Sequence, residues 1–125
     1  LGLPAYDYGL NALHGTQTLA LTWPNGTSFA PTSFPMPVSL GMSWNSSVYR
    51  FVGSVIGVET RAMYLWGSEE FSAWSGQAHI GLDQWSPVLN LAHDPRWGRT
   101  QEVPSEDPLS LAAYTSAFSM GSQWG

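Results

Sequence analysis

Arg96 and Arg99 stand three residues apart in the stretch "HDPRWGRTQEVPSEDP", residues 93–108, among the carboxylates of Asp94, Glu102, Glu106 and Asp107. The chain is only 10% charged, so two of its four arginines and four of its nine acids within one short stretch is a concentration that a solvated loop does not need. A guanidinium drawn out of water requires partners, because an unpaired buried charge is strongly unfavourable. Four acids around two arginines allow one arginine to be tied up in a salt bridge while the other is held, oriented, toward a cleft. There its planar fork can bond two vicinal hydroxyls of a polar ligand. Arg96, inside the stiff Asp94-Pro95-Arg96-Trp97 run, is the expected lock, and Arg99 the expected presented group. Glu106 and Asp107 have a simpler use as acids favoured at the start of a helix.

Other chemistries find less support. His14 and His93 lack a third donor at metal-ligand spacing and are expected to bond backbone carbonyls, while His79 carries no signal; no metal site and no cofactor are expected. With no cysteine there are no disulfides or thiolate sites. No G-x-S-x-G elbow and no Gly-rich phosphate loop occurs, and no pair of carboxylates presents itself for glycosidic acid/base work, so no catalytic residue is assigned.

The elements that must position these groups follow from periodicity and punctuation. Leu1 to Tyr8 reads as a strand, and "GLNALHG" after it as a turn containing Asn11 and His14. Between Gly15 and Pro37 the density of Thr, Ser, Pro, Asn and Gly predicts a long irregular connection. Val38 to Met42 reads as a short buried strand. Asn45 or Ser46 then caps a helix whose apolar positions are Val48, Phe51, Val52, Val55, Ala62 and Met63. Trp66 to Gly81 has no period and reads as an excursion. "QWSPVLNLA" reads as a buried strand, with Pro87 near its start. The charged loop follows and ends in a helix signal: Asp107 as cap, Pro108 at the first position, Leu109, Ala112, Ala113, Ala117 and Met120 on one face, and Gly121 as the stop. This alternation, without repeats or a hairpin signal, predicts an α/β fold with a parallel sheet. In such folds ligands gather at the carboxyl ends of strands, which predicts that Asn11 and Arg99 lie close together.

Composition narrows the partners. The net charge is −5 and every basic side chain is an arginine, so no basic stripe exists for neutralising phosphates, and nucleic acid is excluded as a partner. No run approaches the ~20 apolar residues needed to span a bilayer, so no membrane is expected. Seven Trp and five Tyr on an acidic chain suit neutral polar ligands, aromatic faces stacking on sugar C–H faces while amides and guanidinium groups bond hydroxyls, although a core also consumes such rings. Two sequons, Asn25-Gly26-Thr27 and Asn45-Ser46-Ser47, lean toward an extracellular, secreted protein. The opening at Leu1 and the close on "SQWG" suggest a piece cut from something longer.

The words "LGLPAYDYGLNALHG", "TSFP", "LGMSWN", "GVETRA", "WSPVLNLAHDPRWGRTQEVPSEDP" and "GSQWG", in that order and covering nearly the whole chain, resemble the N-terminal barrel of family 3 glycoside hydrolases in their β-xylosidase and β-glucosidase branch. The resemblance implies that residues 1–125 are the first few βα units of a (β/α)8 TIM-type barrel, incomplete because a barrel needs roughly 250 residues. It implies a fragment of a retaining, exo-acting β-glycosidase acting on a β-linked oligosaccharide or aryl glycoside. Its partners would be the remainder of its own barrel and a second domain. Arg99 would bond sugar hydroxyls, with Asn11 beside it where the family commonly has a carboxylate. Asp94, Arg96, Trp97, Glu102 and His14 would support that site. The family's Lys-His pair, Asp nucleophile and acid/base lie beyond the residues matched here, so the chain alone is expected to be inactive. A non-catalytic carbohydrate-binding remnant is the alternative.

Overall fold

The computed structural model describes residues 11–16, 21–22, 28–66 and 81–124. The expected strand at Leu1–Tyr8 and nearly all of the Trp66–Gly81 excursion lie outside the described residues. Two strands, β1 (Leu21–Thr22) and β2 (Ser28–Phe29), pair antiparallel with Leu21 opposite Phe29 and Thr22 opposite Ser28. They are followed by helices α1 (Pro37–Gly41), α2 (Ser46–Trp66) and α3 (Pro108–Trp124), with a 3-10 turn at Thr100–Glu102 ahead of α3.

Both long helices start where side-chain chemistry sets them. Asn45 Oδ1 accepts from the backbone N–H groups of Ser47 at 3.0 Å and Val48 at 3.4 Å, satisfying donors that the first turn otherwise leaves open. Asp107 Oδ2 does the same for Ser110 N–H at 2.7 Å, and Pro108 follows at the first helical position, where its missing N–H costs nothing. The inward stripe of α2 is Tyr49, Val52, Ile56, Thr60 and Met63; that of α3 is Leu111, Tyr114, Phe118 and Gly121. Steps of three and four keep each set on one face. Tyr114 lies between Tyr49 and Phe118, with ring centroids 4.7 and 5.8 Å away. Leu40 of α1 and Ala12 of the first loop complete this core.

The helix faces differ from expectation. Phe51 and Ala62 point outward, Phe51 being 62% exposed, and on α3 Leu109, Ala112, Ala113 and Met120 are exposed while Ala117 packs at the core edge. The cause is glycine. A Cβ on Gly53 would run into the Phe118 carbonyl oxygen, and one on Gly121 into that of Arg50, so α2 and α3 approach backbone to backbone there. Gly121 is therefore a contact inside α3, which continues to Trp124, and not the expected stop.

Three strand expectations also need correction. Val38–Met42 is not a strand, because Pro37 begins α1 and places only itself and Leu40, one helical turn apart, in the interior. The stretch from Gln84 to Ala92 forms no continuous strand: Gln84 makes a single bridge, Pro87 has no N–H to donate, and Leu89 is exposed. An extended segment becomes a strand only with paired neighbours. Finally, the irregular stretch from Gly15 to Pro37 holds the antiparallel β1–β2 pair, and the described residues contain no parallel pair. Within them the architecture is mainly helical.

Candidate functional site

The loop 11–16 is fastened at several points. Ala12 is fully buried in the core. The carbonyl of His14 accepts from Phe34 N–H at 2.7 Å, and His14 Nδ1 bonds the Phe34 carbonyl at 3.2 Å, the backbone partner expected of this histidine. Gly15, at φ 137°, adopts a backbone open to glycine and lies against the Thr32 carbonyl. Thr16 reaches beneath the loop: its hydroxyl is 2.9 Å from that of Thr60 and 3.5 Å from the Ile56 carbonyl, while Gln84 Nε2 donates to Thr60 Oγ1 at 2.9 Å. A consistent relay runs Gln84 to Thr60 to Thr16 to the α2 backbone. Next to it, Glu59 accepts from Thr32 N–H at 3.0 Å and from its hydroxyl at 2.6 Å. Glu59, Thr60 and Gln84 are supporting residues that the sequence pattern does not single out; the "GVETRA" word holds the first two, in a helix that also carries Arg50, Ser54 and Arg61.

The charged loop is built from short-range bonds. Asp94 takes a backbone N–H bond from Arg96 at 2.9 Å and side-chain bonds from its guanidinium, with Nε at 3.0 Å and Nη2 at 2.6 Å. These bonds hold the Asp94 carboxyl below the ordinary carboxylate range. Arg96 is 88% exposed and clasps its own loop as expected, away from the cleft. Trp97 contributes its carbonyl, which accepts from the Thr100 hydroxyl at 2.7 Å. His93 is exposed.

Arg99 then meets Glu102 across the 3-10 turn, which Val103 anchors by its burial. Arg99 Nε donates to both Glu102 oxygens at 2.9 Å and Nη2 adds a third bond to Oε2. The carboxylate raises the already high pKa of Arg99, so the guanidinium stays charged. Glu102 is 14% exposed and Arg99 61%, so the acid forms the fixed base and the guanidinium projects from it. Among the described residues Nη1 has no partner.

Arg99 and Asn11 line one open cleft of about 460 Å³, together with His14, Met36, Trp85 and Glu102. The expected proximity of the two loops is therefore present, brought about by the core under Ala12 and the turn on Val103. The cleft offers an amide, a charged fork with one edge open, and an indole, a set of donors and one flat apolar face suited to a polyhydroxylated ring. Glu102 is the one carboxylate lining it among the described residues, and both of its oxygens are engaged by Arg99. No group of three or more His, Asp or Glu that could hold a metal ion occurs among the described residues, and no described helix is long and apolar enough to cross a membrane.

No protein-family model matches the sequence. The chain is 38% identical over 128 aligned positions to "Beta-xylosidase/alpha-L-arabinofuranosidase 2" of Medicago sativa subsp. varia, and 39% identical over 125 to "Exo-1,4-beta-xylosidase bxlB" of Emericella nidulans; each alignment covers 98% of this chain and 15% of the relative. "Beta-D-xylosidase 3" of Arabidopsis thaliana is similar at 38% with the same coverage. Among solved structures, a GH3 exo-beta-xylosidase (XlnD) in complex with a xylobiose aziridine activity-based probe superposes with a TM-score of 0.75 and 30% identity, over 100% of this chain and 15% of that one. The chain thus spans 15% of the length of the relatives it matches. Over its whole length it is homologous to the family 3 β-xylosidases, and its fold matches the corresponding part of one of them.

Proposed function

We propose that these residues form the sugar-holding wall of a retaining, exo-acting β-glycosidase of the β-xylosidase type, with Arg99 and Asn11 bonding hydroxyls of the terminal sugar of a β-linked oligosaccharide or aryl glycoside. The observation that carries this reading is the convergence of Arg99 and Asn11, far apart in sequence, on one cleft. In it, Glu102 sets the plane of the guanidinium and leaves the Nη1 edge to the ligand, His14 and Thr16 fix the loop bearing Asn11, and Trp85 offers a face to the ring. The names of the relatives agree with that substrate class.

The proposal includes the architecture and the limits of the 125 residues. They are the opening units of a partial (β/α)8 barrel whose remaining units and second domain complete the site. The exposed Phe51, Leu89, Leu109 and Trp124 are apolar surface of the kind such neighbours cover. The chain alone does not hydrolyse glycosides, because a retaining mechanism needs two carboxyl groups about 5–5.5 Å apart, and the carboxylate present in the described cleft is bound on both oxygens. Incubation of the purified chain with an aryl β-xyloside is expected to release no more aglycone than Arg99→Ala does; turnover above that control overturns this part. A carbohydrate-binding remnant differs only in having no catalytic parent, and an open reading frame that continues into a nucleophile-bearing segment decides against it. We place the protein outside the cell, along the secretory route.

A further inference from the structure

We propose that Asn45 is an N-glycosylation acceptor whose modification leaves the start of α2 intact. The Asn45-Ser46-Ser47 sequon has the acceptor amide and, two residues on, the hydroxyl such transfer requires, with no proline between. All three residues are exposed, and none lines the Arg99 cleft. An acceptor asparagine must satisfy a second condition in a folded protein: its nitrogen has to be free of structural work. Here the division is clean. Oδ1 carries the cap by accepting from the Ser47 and Val48 N–H groups, while Nδ2 and the Ser47 hydroxyl have no partner among the described residues. A glycosylated amide keeps its carbonyl oxygen, so the cap survives the modification.

The surroundings favour a glycan. Trp44, just before the acceptor, has φ 51° and is 71% exposed, and Met42 is 64% exposed. A carbohydrate on Asn45 would shield these two apolar side chains from contact with other molecules. In the transfer, Asn45 Nδ2 bonds to the anomeric carbon of an oligosaccharide carried on a lipid pyrophosphate. The bond from that carbon to the phosphate oxygen breaks, the lipid pyrophosphate leaves with the electron pair, and the amide nitrogen loses one proton. The inference rests on the secretory route proposed above and is independent of the sugar reading of the cleft.

The chain, expressed behind a cleavable leader in a eukaryotic secretory host, tests it by glycopeptide mass spectrometry of both microsomal and secreted fractions, so that retention in the cell does not hide the result. The Asn45 peptide is expected to carry a core glycan, which Ser47→Ala abolishes and Ser47→Thr retains. Asn45→Asp removes the glycan while preserving an acceptor for the cap, and is expected to keep the helix content of the glycosylated chain; a loss of helix content in that variant would overturn the claimed division of labour. A bare Asn45 peptide in both fractions, with or without a glycan on Asn25, overturns the proposal. Secretion of the parent protein from its native source is a separate measurement, so failure of the localisation reading and failure of the acceptor are distinguishable.

Discussion

Thr60 does not itself line the cleft, but its hydroxyl joins the loop of Asn11, the backbone of α2 and the segment carrying Trp85 through Thr16 and Gln84. It is only 2% exposed and Thr16 3%, so the bond between the two hydroxyls has no water to replace it. Thr60→Val keeps the side chain's shape and removes the hydroxyl partner of the buried Thr16, and is expected to cost about 1–3 kcal/mol. The urea midpoint should fall at unchanged slope, and an unchanged midpoint would mean that these segments hold position without the relay. At this scale the charged loop was well signalled. Crowded acids allow one arginine to be tied up while the other is held toward a cleft, and the stiff Asp-Pro-Arg-Trp run marks Arg96 as the clasp; both prove to be ion-paired, Arg99 with one edge open. The Arg99 pairing with Glu102 also follows from their spacing across one turn. Thr60 gives little warning, because one threonine among the several polar residues of α2 reads equally as part of a solvated face, and its partners come from distant stretches.

Helix α3 illustrates what pattern alone resolves and what it leaves open. Its start was readable, since Asp107 and Pro108 form a cap signal that depends only on local chemistry. Its buried face was not, because apolar residues occupy most sides of the helix and the decision falls to the close approach of Gly121 to α2. The same holds for the strands. Val38–Met42 was decided by Pro37 initiating a helix, and the stretch around Val88 and Leu89 lacks the neighbours that would make it a strand. A prediction belongs here. The Ser110 N–H bond holds the Asp107 carboxyl below its ordinary value. A carboxyl with a lowered folded pKa stabilises above the unfolded value, about 3.9 for Asp, and that contribution is lost as pH falls through the folded value. Asp107→Ala should therefore melt at a lower temperature than the parent at neutral pH, with the gap closing below about pH 4. A gap that persists undiminished into acid would show that the ionised cap is not its source.

At the scale of the molecule, the folded arrangement is mainly a framework that delivers two loops to one place. Tyr49, Tyr114 and Phe118 fill the α2–α3 interface, Ala12 ties the first loop to it, and the packing of α1 beside Pro104 carries the Arg99 turn into reach. The order of short words along the chain is enough to indicate its kinship, and the expected βα alternation predicts the meeting of Asn11 with Arg99. The expected parallel sheet does not appear among the described residues, where the one strand pair is antiparallel; an extended stretch becomes a strand only when neighbours supply hydrogen bonds. The central claim is that the open edge of Arg99, beside the Asn11 amide, holds a pyranose. Titration of the isotope-labelled chain with xylose, followed by amide shifts, tests it most directly. The account predicts saturable shifts at residues 11–16 and 97–103 and at the Trp85 indole, with affinity falling about tenfold or more in Arg99→Ala, as expected for loss of a charge-assisted hydrogen bond. A flat titration, or shifts that survive Arg99→Ala unchanged, would contradict it.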